Sequence, residues 1–176
     1  ADTLTHFLSN GFTTGADVVT NTNDEYYVAW NWLAGNATLG TGGFTQGSIA
    51  STCSRNVDAG FSIVSFTGTG STGTVGHGLS KAPEMILVKN RDTGYHWTVY
   101  HSGNTAAPET DYLVLNETDA TVDDATVWND TAPTSTQFTV GTHTDVNTSG
   151  EDYVAYVFAH DDQSFGADSD ESIIKC

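Results

Sequence analysis

Six histidines, two cysteines and 22 carboxylates are the side chains of this 176-residue sequence best able to do chemistry. His77 stands between Gly76 and Gly78, where an unobstructed ring could approach a metal or a carbonyl, or hydrogen-bond backbone at a turn. His96 and His101 fall on opposite faces of an expected strand, which is poor geometry for a shared metal ion. Acidic clusters occur at Asp123-Asp124, Asp161-Asp162 and Asp168-Ser169-Asp170-Glu171. Asp168 and Asp170 resemble half of a calcium loop, yet nothing matches the EF-hand spacing with its central Gly and final Glu. No Gly-x-Ser-x-Gly elbow occurs, and no Ser, His and Asp are singled out as a triad. The reading is therefore of no catalytic residue, no metal and no cofactor.

Other side chains suggest covalent and sugar chemistry. Cys53 sits in Ser-Thr-Cys-Ser and Cys176 at the far end, so neither belongs to a CxxC pair. They can remain thiols, close a loop within one chain, or join two chains; a bond from Cys176 of one chain to Cys53 of another is the expectation. Asn36, Asn116, Asn129 and Asn147 head Asn-x-Ser/Thr sequons, candidates for glycosylation in an exported protein. Trp30, Trp32, Trp97 and Trp128 are expected in a core, with sugar stacking as the alternative.

The elements that must carry these groups follow from composition and alternation. Five Lys+Arg against 22 Asp+Glu give a net charge of −17, which repels phosphate backbones and argues against nucleic acid. No run of apolar residues is long enough for a membrane helix, so no membrane insertion is expected. Abundant Thr, Gly, Asn and Ser with little Lys, Glu or Met predict an all-β protein with essentially no helix. Strands are predicted at 60–67, 84–89, 96–101, 112–115 and 153–158, with a turn over 90–94. Residues 34–59, rich in Gly, Thr and Ser, read as a connector, 60–160 as the sandwich core, and 161–176 as an acidic tether plus a short apolar strand.

One internal match stands out. A shift of 126 residues aligns Phe12–Trp32 with Phe138–Phe158 without a gap, with nine of 21 positions identical. Residues 1–33 thus read as an amino-terminal hairpin segment that duplicates 138–158. Either both copies pack in one pseudo-symmetric sandwich, or the chain is a piece of an array in which one copy completes a neighbouring unit. The isolated Ser172-Ile173-Ile174-Lys175 needs a sheet edge and is expected to be an assembly strand.

Gly60-Phe61-Ser62-Ile63-Val64-Ser65-Phe66-Thr67-Gly68, Val75-Gly76-His77-Gly78-Leu79, Ala82-Pro83-Glu84-Met85-Ile86, Val88-Lys89-Asn90-Arg91, Trp97-Thr98-Val99-Tyr100-His101 and Tyr153-Val154-Ala155-Tyr156 occur here in that order. They resemble an uncharacterised β-sandwich repeat of tail- and fibre-associated proteins of aquatic phages and related environmental sequences. The resemblance implies a jelly-roll-like antiparallel β-sandwich and no catalytic residues. The combined expectation is a structural protomer of an extracellular or virion-surface fibre. It would join its own kind head to tail, a terminal strand extending to the neighbouring subunit. The alternative is a carbohydrate-binding adhesin module with glycan partners.

Overall fold

In the computed structural model, which describes residues 2–32, 34–35, 38–39 and 46–159, contacts divide the chain into two units, Ala1–Trp32 and Leu33–Cys176. The first holds an antiparallel hairpin of β1 (Leu4–Leu8) and β2 (Gly11–Thr14), then the single helical turn α1 (Val18–Asn21). Asp17 starts that turn by accepting a hydrogen bond from the Val19 N–H at 2.9 Å. None of these strand or helix residues is buried, as expected of two short strands with no second layer to enclose a face.

The second unit runs β3 (Thr38–Leu39), β4 (Ser51–Asn56), β5 (Phe61–Thr67), β6 (Gly73–Gly76), β7 (Met85–Asn90), β8 (Trp97–His101), β9 (Asp111–Val114), β10 (Val122–Asp123), α2 (Ala125–Trp128), β11 (Gln137–Val140), α3 (Thr144–Asn147) and β12 (Asp152–Phe158). Eight strands make one antiparallel sheet in the order β10-β9-β8-β7-β12-β5-β4-β3, and β11 pairs with β6 in a second, small one. The fold is thus an all-β sandwich of unequal layers. Alternation puts Val64, Phe66, Ile86, Val88, Ala155 and Val157 on the inner face of the large sheet, in one core with Val75, Val127, Phe138, Val140 and Val146 from the opposite side. Phe66 meets Phe138 edge-on across the layers at 6.4 Å and stacks on Tyr153 at 5.3 Å.

The outer face of the same sheet is apolar too. Phe61 and Phe158, centroids 5.0 Å apart, form a small cluster with Ala34, and Ile63, Met85, Leu87 and Tyr156 pack against it half-buried. Ala159 lies at the same corner, its N–H donating to the Gly60 carbonyl at 2.7 Å.

Two expectations are corrected here. Among the described residues there is helix, but only as the four-residue turns α1, α2 and α3 and a 3-10 turn at Pro108–Thr110, all too short to show a 3.6-residue period. The segment read as a connector over 34–59 carries β4, a full partner of β5 from Ser51 to Asn56. Its inward residues include only Ser51 and Cys53, small side chains that fill the layer without marking the strand as apolar.

Candidate strand-pairing site

The strand that closes the large sheet is the last described one. β12 lies between β5 and β7, antiparallel to both: Tyr153 stands opposite Phe66 and Asn90, Ala155 opposite Val64 and Val88, Val157 opposite Ser62 and Ile86. Tyr153, Ala155 and Val157 are fully buried. A buried valine alone contributes about 1.5–3 kcal/mol, so the sandwich depends on this strand. One position in the slot is imperfect: Ser62 is fully buried, yet its hydroxyl has no hydrogen-bond partner among the described residues. An unsatisfied buried hydroxyl costs about 1–3 kcal/mol.

The approach to β12 is built by one hydrogen-bonded turn. The Asn147 N–H donates to His143 O at 2.9 Å, and its side-chain amide donates to Gly141 O at 2.7 Å and Ser71 O at 2.8 Å. The Thr148 hydroxyl donates to Thr144 O at 3.1 Å. The Tyr153 hydroxyl donates to Thr144 O at 2.7 Å while accepting from Thr148 N at 2.8 Å and from Asn90 Nδ2 at 3.0 Å. Asn90 also donates to Glu151 and accepts from Asp92 N and Thr93 N, which fixes the β7–β8 turn expected at 90–94.

The amino-terminal unit reproduces the bonds that this turn makes within itself. The Asn21 N–H donates to Asp17 O at 2.9 Å and its side-chain amide to Gly15 O at 2.8 Å. The Thr22 hydroxyl donates to Val18 O at 2.6 Å. Tyr27 donates to Val18 O at 3.1 Å and accepts from Thr22 N at 2.8 Å. Each pair is offset by 126 residues, so the duplication is one of geometry and not of composition alone. The strand that should follow differs. Residues 26–31 belong to no sheet, and Tyr27 is 52% exposed where Tyr153 is 0%. On the 126-residue match alone, 27–32 would hold the place in a sheet that 153–158 holds; the turn is shared and the strand is not.

A family model described as a domain of unknown function, DUF7483, matches residues 1–167. The chain belongs to that family. The match takes in both copies of the turn, so the DUF7483 sequence includes the amino-terminal closing segment along with the sandwich. Comparison with curated proteins and with solved structures returns no match.

In this DUF7483 chain the remaining candidate residues fall in separate places. Cys53 lies in β4, not in a loop, and is 1% exposed in the core; burial raises its thiol pKa against a smaller lowering by Arg55. An inter-chain bond to Cys176 would need that thiol at the surface, and Cys176 is outside the described residues. So are Asn36 and the proposed assembly strand Ser172, Ile173, Ile174 and Lys175, along with Asp161, Asp162, Asp168 and Asp170. Asn116 and Asn129 are exposed, whereas Asn147 is fully buried with both amide hydrogens committed, leaving no room for a glycan in the folded chain. His77 is a buried turn histidine held by backbone: Nδ1 accepts from Leu79 N at 3.1 Å and Nε2 donates to Thr134 O at 3.0 Å. Asp124 caps α2 through Thr126, whose hydrogen bonds hold its carboxyl below the usual range. Among the described residues no three His, Cys, Asp or Glu side chains converge as metal ligands.

The tryptophans divide. Trp128 is core, Trp97 stacks on Tyr156 at 6.1 Å on the outer face, and Trp30 and Trp32 are exposed, contrary to the core placement expected for all four. The unsatisfied Ser62 and the register that places it opposite Val157 escaped sequence reasoning, because pairing between strands about ninety residues apart leaves no local signal.

Proposed function

We propose that this chain is a structural unit of an extracellular or virion-borne fibre, in which sandwiches follow one another head to tail and strands lent between units make the junctions. The observation supporting this reading is a surplus: the described residues hold one slot between β5 and β7 but two closing segments with the same turn. An extended segment outside any sheet is a candidate donor, since pairing would bury its apolar side chains and give its backbone groups ladder partners. The outlying Ser172–Lys175 is the candidate for lending within a row of identical chains. Light scattering and negative-stain micrographs of the full chain at rising concentration test this. Linear rows are expected, lost in Ile173→Asp/Ile174→Asp; a single discrete particle at every concentration would overturn it.

A glycan-binding reading is favoured by one groove, of about 570 Å³, lined by Ile49, Thr52, Ser65, Phe66 and Thr67 together with Arg91 and Asp152. Apolar and hydroxyl side chains beside one fixed charge of each sign suit a sugar, which has both kinds of surface. Binding to a glycan array that Arg91→Ala abolishes, with no change in particle size, would select this reading over the fibre.

A further inference from the structure

Overlaying the two closing segments by their shared turn assigns each amino-terminal residue a place in the slot. Tyr27, Ala29 and Asn31 take the inward positions of Tyr153, Ala155 and Val157, while Val28, Trp30 and Trp32 take the outward positions of Val154, Tyr156 and Phe158. Tyrosine and alanine are retained at two of the three fully buried inward positions. The one inward departure is asparagine for valine, and it falls directly opposite Ser62, the buried hydroxyl without a partner. An asparagine there can donate to or accept from that hydroxyl, so the substitution that looks least suited to a core falls beside one of the buried polar atoms that lack a partner among the described residues.

We propose that Tyr27–Trp32 is a donor strand whose acceptor is an open sandwich of this same fold: one that presents strands of the β5 and β7 type, a serine-like hydroxyl opposite Asn31, and no closing strand of its own. Counting identifies the acceptor. Among the described residues each chain brings one slot and two closing segments, so any number of identical chains pairing through this segment leaves one segment over per chain. Only a sheet lacking its own β12 equivalent uses the surplus. Within the chain, β12 keeps the slot because Thr14 and Thr20 stand where Val140 and Val146 are fully buried, so the spare segment is the weaker occupant of this particular core. The inference rests on the strand-lending reading above and names its acceptor.

The test opens the slot of the full chain. Ala155→Asp puts a charge at a fully buried position of β12 and disables it. The single variant is expected to recover its sandwich by borrowing a neighbour's Tyr27–Trp32, giving concentration-dependent assemblies. Their proteolysis should be at least about tenfold slower than in the double variant Ala155→Asp/Ala29→Asp, where the lent strand is disabled as well. Equal cleavage of the two, folded or unfolded, overturns the proposal. The polar match is read separately in the intact chain by a double-mutant cycle of Val157→Asn with Ser62→Ala. Ser62→Ala alone should leave the folding constant unchanged or raise it, whereas in the Val157→Asn background it should lower it about tenfold. Equal effects in both backgrounds would mean that Ser62 does not recognise the asparagine. If rescue occurs while micrographs of the unmodified chain show no rows, the acceptor assignment stands and the fibre falls.

Discussion

A buried imidazole whose two nitrogens both face backbone can take only one form. In His77 the Leu79 N–H demands a lone pair on Nδ1, so the proton is on Nε2, where it reaches Thr134 O; burial lowers the pKa, and the Thr134 bond offsets only part of this. Unfolded, the same ring titrates near 6.5. Between that value and the lower folded one the unfolded chain binds the extra proton, so the contribution of His77 is complete above about pH 6.5 and is lost as pH falls towards the folded pKa. Denaturant midpoints between about pH 7 and 5.5 should decline in the wild type and decline less steeply in His77→Gln, which is less stable overall by about 1–3 kcal/mol. Identical slopes would mean that the ring is not held neutral. What the sequence shows of this residue is its place between two glycines; that both nitrogens are occupied depends on a carbonyl 57 residues away.

At the scale of elements, one turn has been used twice under opposite conditions. Asn147 satisfies three backbone groups, donating to Ser71 O and Gly141 O and accepting from Thr69 N at 2.8 Å, all in or beside the core. Asn21 donates to Gly15 O in the same way but at the surface. Asn147→Ala should therefore cost about 3 kcal/mol or more, by stranding groups that water cannot reach, while Asn21→Ala should leave the sandwich's thermal midpoint within about 1 °C. Unfolding of the two variants by circular dichroism checks this, and a matching loss in both would argue that the first turn is part of the same cooperative unit. The duplication was legible because the turn's residues are chemically specific: Asn, Thr, Glu and Tyr recur at fixed offsets. β5, β7 and β12 were legible from their alternation. β4 was hidden because cysteine, serine and threonine can line a core between larger neighbours without looking apolar. The missing sheet around 26–31 was hidden because the strand's sequence is good and only its partners are lacking.

Across the whole molecule, a charge of −17 opposes any assembly of like chains. Screening shortens that repulsion to about 8 Å at physiological salt, so the assembled fraction should rise as salt goes from about 20 to 200 mM; light scattering that falls over this range would point to pairing between opposite charges instead. Antiparallel layers, one large and one small, were foreseeable from composition and turns, but not where the polypeptide meets them. Ala34 and Ala159 share one corner: Ala34 packs with Phe61 and Phe158, and Ala159 hydrogen-bonds Gly60, the residue before Phe61. If sandwiches of this kind were strung through those two points, tension would pass across that corner and bypass the eight-stranded sheet. The sandwiches would hang beside the string as pendants, the spacing between them set by linker length. A body suspended in this way can also be spliced into a surface loop of an unrelated carrier without prising the carrier apart.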